Sequence, residues 1–135
     1  MGASARPRYL LDTDVVIWQL RGHRGTAELL GDLAVEGLAC STLTIYEVWR
    51  GVREHERADT RRILDALDNA SVTPDIAYQG AEYVRAHRSQ GVTLQEIDSL
   101  IAATARIEDC TLLTYNRRHF PMDDILLFDP MPPLD

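Results

Sequence analysis

The feature that most constrains this chain is a repeated alternation of short strand-like runs with stretches of helical periodicity. The strand-like runs are Tyr9–Leu11, Leu38–Ser41, Ser71–Thr73, Thr111–Thr114 and Ile125–Phe128. Helical patterns span Val15–Leu20, Thr26–Glu36 (stopped by Gly37), Thr44–Arg50, Glu54–Asn69, Asp75–Ser89 and Glu96–Glu108, with a short turn or helix at Asn116–Phe120. Strands that alternate with helices pair in parallel, and the crossover helices cover both sheet faces. The expected fold is α/β, a three-layer α/β/α sandwich around a central, mostly parallel sheet of about five strands. With 135 residues and no repeat, linker or low-complexity segment, the chain reads as a single domain over 1–135. Residues 1–7 and 130–135 are expected to be loose tails, because Pro130-Met131-Pro132-Pro133 cannot join a sheet interior.

Composition excludes several classes. A hydrophobic content of 45% is too high for a disordered chain. No apolar run approaches the roughly 20 residues of a membrane span. The first eight residues lack the apolar core of a signal peptide, and position 6 is Arg rather than the Ser or Thr of a myristoylation signal. A cytoplasmic protein with no membrane contact is expected. Cys40 and Cys110 lie in apolar stretches and read as small core residues, since two cysteines make neither a disulfide framework nor a metal knuckle.

The net charge of -7 argues against a nucleic-acid binder when taken alone. Yet the chain contains no Lys, so every fixed positive side chain is Arg. Many are grouped: Arg50, Arg53, Arg57, Arg61 and Arg62, then Arg85 and Arg88, then Arg117 and Arg118. Arg suits bidentate phosphate contact, although each one singly also fits a solvated helix face. The absence of Lys removes the P-loop and any other phosphate site built on a lysine.

Parallel sheets take their ligands outside the carboxyl ends of the strands. The polar residues to weigh are therefore Asp12, the Ser41–Glu47 stretch, Asp98 and Thr114–Asn116. Asp12 ends the run Leu10-Leu11 and either caps the next helix, as Thr13 also could, or ligates a metal at the strand mouth. Glu47 follows Thr44 by three residues, the spacing of a capping box on a first helical turn. Asp98 suits the N-terminal dipole of the helix containing Ala102, Ala103 and Ala105, small residues that let it approach the sheet closely. Each acid has a structural role open to it. Their coincidence on one sheet edge carries more weight, because clustered carboxylates repel and raise one another's pKa. A hard divalent cation relieves that repulsion. Oxygen-only ligands favour Mg²⁺ or Mn²⁺ over zinc.

At four places the chain resembles PIN-domain ribonucleases of the VapC group. Tyr9-Leu10-Leu11-Asp12-Thr13-Asp14 is similar to the family's opening strand and first acid. Ser41-Thr42-Leu43-Thr44-Ile45-Tyr46-Glu47 is similar to the second acid's segment, and Asp98-Ser99-Leu100-Ile101-Ala102-Ala103 to the third. Leu112-Leu113-Thr114-Tyr115-Asn116-Arg117-Arg118-His119-Phe120 resembles the closing T-x-N-x-x-D-F segment. The order holds over roughly residues 8 to 130. The resemblance implies one or two Mg²⁺ or Mn²⁺ ions bound by Asp12, Glu47 and Asp98. It implies an endoribonuclease cutting tRNA or rRNA, a homodimer, and a small VapB-like antitoxin partner. Two positions depart from the family pattern. Asp14 stands where Asn or Ser is common, and His119 where an acid is frequent.

The expected catalytic set is Asp12, Glu47, Asp98 and Asn116. Asp14 and Thr114 are accessory, and Arg117 and Arg118 contact flanking phosphates. Two other readings remain at this level. One is a phosphatase of the haloacid dehalogenase type, with Asp12 as nucleophile and Asp14 as general acid. It lacks that class's phosphate-binding Lys, and its second acid pair would have to be Asp123-Asp124. The other is a non-catalytic RNA- or protein-binding module on the same fold.

Overall fold

The three most apolar runs become the centre of one parallel sheet. The computed structural model describes residues 7–135. Strands β1 (Tyr9–Leu11), β2 (Leu38–Ser41), β3 (Asp68–Ala70) and β4 (Thr111–Leu113) lie in the order β3-β2-β1-β4, every pair parallel. The expected last strand is reduced to one parallel bridge, Leu127 beside Leu112. Leu112 N–H donates to Leu126 O at 2.9 Å, and Phe128 N–H donates to Leu112 O at 2.8 Å.

Side chains of successive strand residues go to opposite faces. Leu10, Ala39 and Leu112 enter one core with Ile76, Tyr83, Ile101 and Ala102. Tyr9, Leu11 and Leu113 enter the other with Val15, Val16, Leu30, Val48 and Leu64. Burial on both faces is why these strands read as continuous apolar runs rather than alternating ones. One layer holds α1 (Thr13–Leu20), α2 (Arg24–Leu33), α3 (Thr42–Trp49) and α4 (Arg57–Asp65); the other holds α5 (Pro74–Arg88) and α6 (Glu96–Ile107). The three-layer expectation holds.

Several boundaries differ from expectation. The stretch Glu54–Asn69 is not one helix: a 3₁₀ turn at Glu54–Glu56 leads into α4, and Asp68–Ala70 is already strand. The strand expected at Ser71–Thr73 lies three residues earlier. As an exposed edge strand, Asp-Asn-Ala carries no apolar signature, and Thr73 is instead the N-cap of α5. The stop at Gly37 holds. Its φ of 96° is one that L residues rarely adopt, and a Cβ there would lie 2.8 Å from Pro7 Cα.

The C-terminal tail is not loose where it meets the domain. Met131 packs against the second core, and Pro132 lies over Gly25. The other tail, expected over 1–7, falls outside the described residues except at Pro7, whose carbonyl accepts from Cys110 Sγ at 3.3 Å. Cys40 and Cys110 are both buried, as expected. No helix among the described residues is long and apolar enough to cross a membrane.

Candidate active site

The chain reverses direction across the sheet at β1, with β2 on one side and β4 on the other. Such a switch point opens a crevice at the carboxyl ends of the strands. Asp12 leaves β1 there and Thr114 leaves β4. Asp12 is 6% exposed. Both open roles for Asp12 are compatible. Its Oδ1 caps α1 by accepting from Thr13 N–H at 2.8 Å, while Oδ2 accepts from Thr114 Oγ1 at 2.8 Å.

Glu47 arrives by a different local route from the one expected. Ser41, not Thr44, caps α3, its Oγ accepting from Leu43 N–H at 3.0 Å. The strand ends at Ser41 and the helix starts at once, so Thr44 is already helical and Glu47 sits in the second turn. There is no capping box at Thr44. Thr44 is fully buried and its hydroxyl meets Thr13 Oγ1 at 3.1 Å. Thr13 Oγ1 in turn donates to Glu47 Oε1 at 2.6 Å.

Asp98 stands in the first turn of α6, as expected, with its side chain 14% exposed. His119 Nδ1 lies 3.3 Å from its Oδ2. The position where the resemblance expects an acid therefore faces a carboxylate of this cluster.

Electrostatics bind the acids into one group. Burial, and then the charge of Asp12, push Asp98 up to about 6, with His119 opposing. Burial chiefly raises Asp12, with Thr114 and Thr13 opposing and Glu47 adding to the rise. Asp14 is pushed up to about 7, first by burial and then by Asp12. Its Oδ2 accepts from Tyr115 N–H at 3.0 Å and Asn116 Nδ2 at 2.8 Å, while its buried Oδ1 has no hydrogen-bond partner among the described residues.

Asn116 thus holds Asp14 rather than touching Asp12, Glu47 or Asp98. Its own N–H donates to Thr114 Oγ1 at 2.9 Å. Arg117 and Arg118 are exposed, and Arg117 Nη1 donates to Phe128 O at 3.4 Å. Two bracing residues escaped the sequence reading. Thr13 joins the first two acids, and Tyr115, whose N–H donates to Asp14 in α1, is itself anchored by its hydroxyl 2.6 Å from Thr26 Oγ1. Only the position of Thr13 between two acids hinted at its part.

Among the described residues, no three His, Cys, Asp or Glu side chains close into a ready cage for an ion. The donor chemistry still fits a hard cation. The acids are all oxygen donors, neighbouring carboxylates help raise Asp12, Asp14 and Asp98, and Asp14 leaves an orphan buried oxygen. Mg²⁺ commonly keeps several waters and needs only one or two carboxylates from the protein. A phosphatase arrangement is not formed. Asp124 is taken by Tyr83, whose hydroxyl donates to its Oδ1 at 2.7 Å, and by Arg106.

Comparison with known proteins matches residues 9–124 to the PIN domain. The chain is 42% identical to Ribonuclease VapC19 of Mycobacterium tuberculosis over 115 residues, 84% of this chain and 92% of that protein. It is 30% identical to Ribonuclease VapC1 of Methanocaldococcus jannaschii over 114 residues, covering 84% of this chain and 79% of that one. Among solved structures it is similar to a toxin–antitoxin complex from Klebsiella pneumoniae, with a TM-score of 0.75, 25% identity, and coverage of 87% of this chain and 95% of that one. A DNA-bound VapBC structure from Salmonella typhimurium matches with a TM-score of 0.80 at 18% identity, over 90% and 97% of the two chains.

Proposed function

Because the chain belongs to the PIN-domain family, we propose that it is a divalent-metal-dependent endoribonuclease and the toxin of a toxin–antitoxin pair. One observation carries the reading: Asp12, Glu47 and Asp98 come from three separate elements, Asp12 feels the charge of Glu47, and Asp98 feels the charge of both. Likeness to a ribonuclease over nearly its full length supports RNA as substrate. Likeness to toxin–antitoxin complexes supports a VapB-type antitoxin as partner.

Asp12, Glu47 and Asp98 would hold Mg²⁺ or Mn²⁺, in part through water. Such an ion supplies a positive charge that acidifies an attacking water and offsets charge on the phosphate. The protein's own part is positioning. Thr114 and the Thr13 N–H hold the two oxygens of Asp12, and Thr13 Oγ1 holds Glu47. Asn116 fixes Asp14 beside them. In-line attack by water on phosphorus breaks the bond to the 3′-oxygen, which takes a proton. The products are a 5′-phosphate and a 3′-hydroxyl, and the 2′-hydroxyl takes no part.

The test is cleavage of a labelled total-tRNA pool by antitoxin-free protein, with Mg²⁺ or Mn²⁺ and with EDTA, beside Asp98→Asn. Discrete cuts that need metal and vanish in the folded variant support the reading. An active Asp98→Asn protein removes Asp98 from the site. Metal binding without turnover on any RNA would favour the binding module.

A further inference from the structure

Several arginines are neutralised where they stand. Arg57 pairs with Glu54, Arg61 with Asp65, Arg62 with Asp59 and Arg106 with Asp124. Others among the described residues are not, Arg50, Arg85, Arg88, Arg117 and Arg118 included, and what sets Arg21 and Arg53 apart is a shared cavity. Among the described residues neither has a carboxylate within ion-pair distance, and both line one cavity of about 440 Å³ between α1, α3 and the Glu54–Glu56 turn. Glu47 lines the same cavity, which therefore adjoins the acid cluster at that residue.

Local contacts keep these guanidiniums available. Glu56, which also lines the cavity, accepts at Oε1 from Arg53's backbone N–H at 2.9 Å and so caps the 3₁₀ turn. Arg21's guanidinium lies over the Trp18 ring, 5.4 Å from its centroid, which narrows its range without consuming its charge. Ile17, Leu20, Val48 and Val52 supply apolar wall. The volume falls within the roughly 300–1,000 Å³ of small-ligand sites. In a chain of net charge -7, a polyanion gains most where unneutralised guanidiniums adjoin the reacting centre. Apolar wall beside two guanidiniums suits one unstacked nucleotide, which an unpaired stretch of RNA offers.

We propose that this cavity seats a nucleotide of single-stranded RNA beside the scissile bond, with Arg21 and Arg53 on a flanking phosphate and the base against the apolar wall. The proposal rests on the ribonuclease reading and gives it a specificity pocket.

The test uses filter binding of labelled tRNA in an Asp98→Asn background, which holds substrate uncut. Arg21→Gln and Arg53→Gln are compared with Arg85→Gln, an exposed arginine of α5 in the opposite layer. Each cavity variant should weaken binding about tenfold and flatten the dependence on log salt by about 0.7 per lost phosphate contact. Arg85→Gln should bind like its parent. In the cutting-competent chain the two cavity changes should raise KM about tenfold and leave kcat within about twofold. Cleavage by the unmodified chain, with binding unchanged in both cavity variants, would overturn the pocket alone. An equal loss in Arg85→Gln would also overturn it, showing only a general charge effect. Failure of the unmodified chain to bind or cut any RNA would overturn the pocket and the ribonuclease reading together.

Discussion

Thr13 Oγ1 donates to Glu47 Oε1 at 2.6 Å, and its backbone N–H donates to Asp12 Oδ1 at 2.8 Å. One residue therefore fixes a carboxylate of β1's end and a carboxylate of α3. Its hydroxyl also meets that of the buried Thr44 at 3.1 Å, so the brace is anchored in the core.

Thr13→Val keeps the shape and the backbone donor but removes the brace on Glu47. Outer-sphere partners of this kind are worth about 10–100-fold. Single-turnover cleavage should slow by that factor, while circular dichroism stays unchanged and Thr13→Ser restores most of the rate. Full speed in the Val variant would mean that Glu47 needs no positioning.

Asp14 sits at about 7 and Asp98 at about 6 in the metal-free fold, both raised from 3.8 chiefly by burial. Between those limits the folded chain holds protons that the unfolded chain has released. Their contribution to stability therefore falls as pH rises from about 4 to about 7. Asp14→Asn still offers an oxygen to Tyr115 N–H and Asn116 but cannot ionise. In EDTA the variant should melt higher than the parent at pH 7.5, with the gap closing toward pH 4. A pH-independent gap would assign the difference to packing alone.

Added Mg²⁺ or Mn²⁺ should raise the Tm more at pH 7.5 than at pH 5, because carboxylates must lose their protons to bind metal. At a metal concentration a hundred times the Kd, the gain is about 2.7 kcal/mol. The same titration on Asp98→Asn should show most of the shift gone. An undiminished shift there would place the ion elsewhere.

Asp124 ties three segments, accepting from Tyr83 of α5 and Arg106 of α6 while standing just ahead of the bridged segment at Leu127. Asp124→Ala leaves the Tyr83 hydroxyl without its acceptor. Loss of such a partner costs about 1–3 kcal/mol. Urea unfolding should report that loss, while the cutting rate per folded molecule stays that of the parent. A fall in rate would link this tie to the acid cluster.

Some of this was legible in the residues themselves. Leu10-Leu11, Ala39-Cys40 and Leu112-Leu113 announce strands buried on two faces, since nothing but apolar side chains suits both cores. An acid directly after the first of these strands must then emerge at the sheet's carboxyl edge, which made Asp12 readable. Asp98 was readable too, as an acid in the first turn of a helix whose alanines fit against the sheet. The edge strand Asp68–Ala70 was not, because an exposed edge needs no apolar residue and its backbone pairing leaves no mark in composition. Nor was the start of α3. Ser41 and Thr44 are both good caps, and only where β2 ends decides between them.

The chain's local chemistry by itself determined the layer order and which acids could reach the edge, because burial periodicity and helix-start preferences act over a few residues. Only the tertiary structure decided that Thr13 would hold Glu47, that Asn116 would turn to Asp14, and that Arg21 and Arg53 would be left facing one cavity. Those choices depend on distances between residues remote in the chain, which packing sets and no local pattern encodes.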